Sequence, residues 1–414
     1  MGVEIDGVNN TLKVGAQPFL KWQTSSIKTS TFTAVSGEGY LVNTTGGAVT
    51  VNLPAGVAGA VIGLQDYAGT WDTNNCTVSA DGSEKIQGST NDAIFSRDRE
   101  ALQILYVDST QGWVITSVAD QGGTQASYIS ASGGTETTSG DYKIHTFNST
   151  GTFTVSSLGN TAGGGDKVSY QVVAGGGGGG GGSDRGAGAG AGGYRTNHPS
   201  PDASGLAVTA QAYSITIGAG GAGKPSGVSA SSGDSGSNSV FSTITSAGGG
   251  GGAKVDTVGS NGGSGGGGGA GGSSVAAGGS GNTPPVSPPQ GNDGGDGIGS
   301  PGGFAGGGGG GASGAGSNAS SSGGGAGGAG SANTITGSPV TTGGGGGSGG
   351  GTCSKAGGAG GAGGGGAGAN PNGSATAGTA NTGGGGGGGA PASPATGSAA
   401  GGSGVVVIRY KYQN

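Results

Sequence analysis

From residue 39 to residue 120, apolar residues recur at alternate positions in short runs separated by turn-forming residues. GYLVNTTGGAVTVNLPAG (39–56) predicts two short strands split by a Gly-Gly turn. AVIGLQDYAG, NNCTVSADG, EKIQGS and REALQILYVDSTQGWVITSVA follow at strand-and-turn spacing. Short strands with turns every 8–12 residues or so point to a β-sandwich or barrel-like module. ILYVDSTQGWVIT predicts a hairpin with Asp108–Gly112 in its turn. The core candidates are Leu41, Val49, Val51, Leu53, Ile62, Leu64, Val78, Ile86, Ile104, Tyr106, Trp113 and Ile115. Residues 17–35 alternate poorly and read as a connector, which assigns 1–38 to an N-terminal attachment segment and 39–120 to the sandwich-like module.

A Gly/Ser/Thr-rich break after residue 120 opens a second unit. YKIHTFNSTGTFTV (142–155) predicts a hairpin with NSTG as its turn, and DKVSYQVV (166–173) predicts a strand that runs straight into polyglycine. At the far end GGSGVVVIRYKYQN becomes strand again. Val168–Val173 and Val405–Tyr412 are expected in one small sheet, so that 121–173 completed by 403–414 forms a small β unit and 174–402 is one long insertion into it. The expected fold class is therefore all-β, with a polyglycine II bundle inserted between two strands of the second unit.

The insertion changes the physical problem. Of 115 glycines, 24 precede Ala174 and 91 follow it. Glycine surrenders the most backbone freedom on folding and buries no side chain. What can order such a chain is the three-fold polyproline II geometry, whose outward amides bond to neighbouring copies when glycine lets backbones approach. Each bond contributes about 0.5–1.5 kcal/mol against about 1–2 kcal/mol of backbone entropy per residue. Such a lattice needs many members and pinned ends, and the small sheet would supply the pin. Interior segments should be nearly all glycine, with Ala or Ser tolerated at an edge. GGAGGAGGGGAG (357–368) fits an edge segment, whereas GAGAGAGG (186–193) has period two and fits worse, resembling silk-type β structure.

Alternation between a sheet end and a far end then predicts a path. The chain runs out along 175–182, turns at 183–185 and returns along 186–193; it runs out along 218–223 with a tip at 224–234, and out along 248–252 with a tip at 253–261 and a return along 262–272. Residues 273–301 carry no clear assignment. Thereafter 304–312 leads out to a tip at 312–322, 343–351 to one at 352–356, and 383–389 to one at 390–400, with a turn at 369–382. AYSITI, SVFSTIT and ANTITGSPVTT, all β-type, fall at predicted sheet-end positions.

Charge narrows the partners. Residues 1–120 carry twelve acids and six bases, while 174–414 carry six and seven. No basic stripe exists, so nucleic acid is not expected as a partner. No stretch approaches the length of a membrane span, and the first fifteen residues lack a signal-peptide pattern. Cys76 and Cys353 lie in segments of different character; a disulfide between them stays open as an alternative to separate thiols, and neither suggests zinc.

HTFNSTGTFTV, VVAGGGGGG, AGGYRT, SITIGAGGAG, SVFSTITSAGGGGG, TANTGGGGGGG and GGSGVVVIRY together resemble the glycine-rich domain of tailed-phage tail fibres, across 142–412. The front module, through VNLPAG and LYVDSTQGWVIT, resembles small β-sandwich units of phage fibres, and the architecture is similar to phage adhesins with polyglycine II tips and variable distal loops. The chain departs from the separate adhesin type, because its glycine-rich part is fused to fibre-like modules. The resemblance implies a virion protein made in the host cytoplasm, non-enzymatic and without cofactor, attached to other virion proteins through its N-terminal part and trimeric through its first half. It also implies recognition of an outer-membrane protein or glycan on the bacterial surface without membrane insertion. Receptor contacts would then fall on the tip loops, here Asp184, Arg185, Lys224, Pro225, Val228, Lys254, Val255, Asp256, Val258, Cys353, Lys355, Pro391 and Pro394. Alternatives are a purely structural virion protein (fibre shaft or capsid decoration), an ice-binding polyglycine II protein, and a depolymerase.

Little else suggests chemistry. G-x-G-x-x-G matches arise from composition and sit in no βαβ unit. GNDGGDGIG, with Asn292–Asp296 at its centre, resembles calcium-binding glycine-aspartate turns; with one copy and two acids it reads as a surface turn, and calcium binding stays open as the alternative. His145 and His198 have no nucleophile context.

Overall fold

The computed structural model describes residues 3–6, 11–14, 17–18, 20–120, 127–160, 163–181, 185–199, 205–225, 231–272, 275–299, 303–351, 355–391 and 397–413. Two compact units emerge, 1–126 and 127–414. The described secondary structure is β, with no α-helix among the described residues.

In the first unit, Val3–Asp6, Thr11–Val14 and Gln17–Pro18 form a three-stranded sheet, and the strands from Lys21–Trp22 to Cys76–Ser79 alternate between two further sheets. One sheet has the order Gly112–Asp120, Glu100–Asp108, Val61–Asp66, Glu38–Val42, Lys21–Trp22, and the other Ala93–Phe95, Cys76–Ser79, Val49–Asn52, Phe32–Thr33. Several pairs are parallel, such as Tyr40↔Leu64 and Val51↔Val78. The two strands of 39–56 therefore lie in different sheets, and the Gly-Gly stretch carries the chain from one to the other. Part of the expected connector also joins the sheets, as Lys21↔Glu38 and Phe32↔Val51. The expected hairpin forms, with Tyr106 opposite Trp113 and Asp108 opposite Gly112. The Asp108 Oδ1 accepts the amides of Thr110 and Gln111 at 2.8 Å, which closes the turn.

Between the sheets lie Trp71, Trp113, Leu53, Ile62, Leu64 and Ile104, all fully buried. Leu41 is only half-buried, because Tyr40 and Val42 on either side of it take the inward face. Burial beside the Asp66 and Glu100 carboxylates pushes the Cys76 thiol up to about 12, and this cysteine is free. Cys353 lies outside the described residues.

The second unit is built on two further sheets. One has the order Ser130–Ser132, Gly151–Ser157, Ala212–Thr216, Ser239–Phe241, Ile244–Ser246. The other runs Thr135–Ser139, Tyr142–Phe147, Val405–Lys411, Lys167–Val173, Tyr194–Thr196. Val172 and Val406 face each other across the central pair. Phe153, Phe241, Ile215, Val172, Val406 and Ile408 fill one core. The predicted 142–155 hairpin does not form: Tyr142–Phe147 pairs with Val405–Lys411, and Gly151–Ser157 pairs with Ala212–Thr216 in the other sheet. NSTG crosses between layers so that Phe147 and Phe153 can both enter the shared core.

The glycine-rich segments leave this sheet region without strand pairing, and their amides are bonded in a three-residue repeat. Amides of 174, 177 and 180 donate to the carbonyls of Gly193, Gly190 and Ala187; those of 175, 178 and 181 donate to Ser237, Asp234 and Ser231; and those of 176 and 179 donate to Gly402 and Ala399, all at 2.8–3.0 Å. Carbonyls of 175 and 178 accept from Gly249 and Gly252, those of 177 and 180 from Gly386 and Gly389, and that of 176 from Gly221. Three neighbours thus accept bonds and three others donate them. Residues 174–181 are buried throughout. A Cβ on Gly176, Gly177 or Gly178 would be driven into the carbonyl of Gly384, Gly250 or Ala222 respectively.

GAGAGAGG follows the same repeat. Amides of 187, 190 and 193 reach Ala253, Gly250 and Ala247, and those of 188 and 191 reach Gly307 and Gly310. Ala187, Ala189 and Ala191 are fully buried, so interior segments do not have to be pure glycine and silk-type pairing is absent here. The reason lies in the mismatch of periods: with neighbours repeating every three residues, Ala187, Ala189 and Ala191 fall at three different positions of the repeat. Ala356, Ala359 and Ala362 are exposed at every third residue, which is edge behaviour.

Register corrects the predicted path at several places: 231–234 and 398–400 already lie on returning segments, and 376–379 is a bonded segment within the span expected as a turn. Gly266 and Gly269 donate to Ser260 and Thr257, so 257–260 already returns and 264–270 runs out again. Segment 304–311 runs towards the sheet end, antiparallel to 264–270, with Gly307 bonded to Gly268 and Gly310 to Gly265. Ala312 donates to the carbonyl of Gly343, directly after strand Val340–Thr342, so 312–314 is a sheet-end turn and only 320–322 turns at the far end. Finally, 357–368 is two segments divided at Gly363 and Gly364, which have φ of +95° and +97°. Residues 276–280 and 291–298 join the bundle, joined to each other by the proline-rich stretch 281–290 at the sheet end.

Candidate functional site

At the far end, side-chain as well as backbone bonds hold the described residues in place. Asp184, Val228, Cys353 and Pro394 lie outside the described residues. The remaining candidates form two groups.

Lys224 belongs to the first group. Its Nζ meets Asp234 Oδ1 at 2.6 Å, its amide donates to Ser398 Oγ at 2.8 Å, and its carbonyl accepts the Ser398 amide. Ser398 Oγ in turn donates to the Gly179 carbonyl at 2.6 Å. The two turns reaching 225 and 397 are thereby tied to the end of 174–181, with Pro225 exposed and Pro391 half-buried. Lys254 donates from its amide to Ser232 Oγ at 3.1 Å, while its carbonyl accepts from Thr257 Oγ1. Asp256 takes φ of +59°, closing a tight turn in which Lys254 and Asp256 are exposed and Val255 is half-buried. Val258 is highly exposed but sits on the returning segment rather than in the turn.

The second group was less legible. Arg185 lies with its guanidinium carbon 4.7 Å from the centroid of the Phe304 ring, and its Nε has no hydrogen-bond partner among the described residues. Phe304 adopts φ of +49°, a conformation that costs a bulky residue about 1–2 kcal/mol. Lys355 Nζ donates to the Gly303 carbonyl at 3.0 Å. Residues flanking three separate turns therefore converge on 303–304. Phe304 was missed because a lone aromatic in GGFAGGGG reads as part of a segment; its position after a Gly-Gly pair is the available signal.

Besides the Lys224–Asp234 pair, this end can offer three cations (Arg185, Lys254 and Lys355), an aromatic ring and turn backbone to a partner on a scaffold of bonded glycines, the arrangement in which loops commonly carry recognition. The Asp293 and Asp296 carboxylates accept the amides of Gly281 and Gly278 at 2.7 and 2.9 Å, so they serve the neighbouring segment rather than a turn. No group of three or more metal-ligating side chains occurs among the described residues. His145 is wholly buried, bonded through Nδ1 to Gly133 O and through Nε2 to Tyr410 Oη, and burial holds it below the usual histidine range. No helix among the described residues is long and apolar enough to cross a membrane.

Residues 6–120 match the family model described as Bacteriophage T4 gp9/10-like protein, N-terminal. No curated protein matches the chain significantly. Residues 148–411 match the model described as Glycine-rich domain, close to the span over which the motif order resembles that of phage tail fibres. With that match covering more than half of its length, the chain belongs to the glycine-rich domain family.

Proposed function

We propose that this chain is a non-enzymatic component of a phage tail, carried in the virion, that contacts the bacterial surface through the far-end turns of a polyglycine II bundle. The observation that carries the reading is the three-residue repeat of backbone bonds, in which 175, 178 and 181 address one neighbour and 174, 177 and 180 another. Three residues per turn and outward amides are the properties of polyproline II geometry. A stiff bundle rooted in a sheet holds its distal turns in place, which limits the ordering cost of binding. The similarity of 6–120 to a bacteriophage T4 protein supports attachment of that end to other virion proteins. Trimerisation through the first half belongs to the same reading, and light scattering of the full chain measures it directly.

Replacing 225–230 and 391–396 with Gly-Ser stretches in phage, and counting adsorbed particles, tests the recognition role. Lost adsorption with normal particle yield is the expected outcome. Full adsorption by intact particles carrying the replacements supports the structural alternative, a fibre shaft or capsid decoration, and ends the receptor reading.

A further inference from the structure

A second place in the glycine-rich unit is built to hold a ligand, and it lies at the sheet end. Tyr170, Tyr194, Arg195, Thr196, Pro288 and Ser331 line a half-enclosed cavity of about 270 Å3, close to the lower end of the roughly 300–1,000 Å3 usual for small-molecule sites. Its walls come from strands Lys167–Val173 and Tyr194–Thr196, paired as Gln171↔Thr196, and from the proline-rich stretch 281–290.

That proline wall is held in place. Asn282 Oδ1 accepts the amides of Val286 and Gln290 at 3.1 and 3.2 Å, and its Nδ2 donates to the Val286 carbonyl. The buried Gln290 donates through Nε2 to Pro284 O at 2.9 Å and accepts the Ala247 amide at 2.8 Å. The opposite wall is fixed by Asn333, whose Nδ2 reaches both Tyr194 Oη and Thr196 Oγ1. The cavity is thus pre-formed and loses little ordering entropy on filling.

Its chemistry is specific. Arg195 is the charged residue among the described lining residues, and Nη1 donates to Thr245 O at 3.3 Å. Guanidinium carries five donors in a planar fork suited to carboxylate, so most of that fork remains for a ligand. Tyr170 and Ser287 add two hydroxyl-bearing side chains to the same lining. Two phenol rings and a proline edge offer apolar surface beside these donors. The cavity next to it, about 230 Å3 and lined by His198, Asn333 and Pro339, lacks a comparable cation. Burial and nearby Arg409 keep His198 below the ordinary histidine range, so its imidazole does not stand in for that cation.

We infer that the Tyr170–Arg195 cavity binds one carboxylated sugar ring, a hexuronic acid in size and charge. Its carboxylate pairs with the Arg195 fork, its C–H face packs on a tyrosine ring, and its hydroxyls meet Tyr170 and Ser287. The inference is independent of the far-end turns, because this site uses none of their residues.

The test is calorimetric or saturation-transfer NMR titration of the full chain with glucuronic acid, glucose and acetate. Glucuronic acid is expected to bind saturably, and glucose and acetate each about tenfold or more weaker, since each lacks one half of the recognised chemistry. Arg195→Gln should reduce glucuronate affinity about tenfold or more, and Arg195→Lys should recover part of it, at an unchanged melting temperature. Replacing 225–230 and 391–396 should leave binding as it was. Glucose binding as well as glucuronic acid, acetate binding as well as glucuronic acid, or an unaffected Arg195→Gln protein would each overturn the assignment.

Discussion

Phe153 and Gly177 belong to the same unit, both are out of contact with water, and different forces hold them there. Phe153 touches the rings of His145, Tyr213, Phe241 and Tyr410, with centroids 5.1–6.5 Å away. Its contribution is the apolar surface it removes from water, about 25 cal/mol per Å2. Gly177 has no side chain to contribute. Its amide donates to Gly190, its carbonyl accepts from Gly386, and the space where a Cβ would stand is filled by the Gly250 carbonyl. One region is a core of side chains between backbones, and the other is a core made almost wholly of backbone, with a few small side chains such as those of Ala187, Ala189 and Ala191. The second depends on the first, because segments 174–181 and 397–404 emerge from the paired strands Lys167–Val173 and Val405–Lys411.

The largest effect should come from attacking that root. Phe153→Ala is expected to destabilise the second unit by about 3–5 kcal/mol. Hydrogen exchange should show the amides of 174–181 losing protection together with the strands. Protection of those amides that outlasts the sheet would mean the bundle needs no anchor. Gly177→Ala comes next, at about 1–3 kcal/mol, because the added methyl meets a carbonyl that has neighbours behind it; chemical denaturation measures it. Were the loss negligible, the close approach of the Gly250 carbonyl would not exclude a methyl at this position, and the comparison would collapse.

A smaller, pH-dependent term marks the side-chain core. His145 has its folded-state pKa lowered by burial, so the unfolded chain binds the proton more readily. Its contribution is complete above the ordinary histidine value of about 6.5 and is lost as pH falls below it. Melting temperatures from pH 7.5 down to 5 should therefore drop more steeply for the native chain than for His145→Gln, and parallel curves would refute this. Ala359→Gly, the reverse of the interior substitution but on an exposed edge, should cost only about 0.5–1 kcal/mol; a cost equal to that of Gly177→Ala would erase the distinction between edge and interior. Smallest of all, Phe304→Gly relieves a left-handed backbone while losing the Arg185 contact of about 0.5–1 kcal/mol. The melting temperature should stay nearly constant, and a fall of several degrees would make Phe304 structural.

Where sequence reading succeeded and failed follows from what each signal encodes. The 104–115 hairpin was legible because Asp108 and Gly112 specify its turn locally. The 142–155 hairpin looked equally good and was wrong, since alternation reports only that a strand has a buried face; the partner was Val405–Lys411, more than 250 residues away. Trp71 was absent from the expected core because it lies outside any alternating run, although it is wholly buried. At the far end, Lys224 and Asp234 could be placed in one loop from sequence, but the convergence of Arg185, Phe304 and Lys355 required the fold. The Tyr170–Arg195 cavity was invisible for the same reason, its walls being drawn from positions more than 100 residues apart.

Glycine density, β-type patches at intervals and strands at both ends of the insertion were enough to indicate that its backbone must be satisfied by other copies of itself and anchored in a sheet. Those are local and compositional requirements, carried by the residues themselves. Which segment lies beside which, and whether 304–311 runs out or back, was decided only in three dimensions. One bare glycine backbone is nearly identical to another, so a segment carries no side chain that names its neighbour. The turns and strands at its ends, together with the geometry of the whole assembly, make that choice.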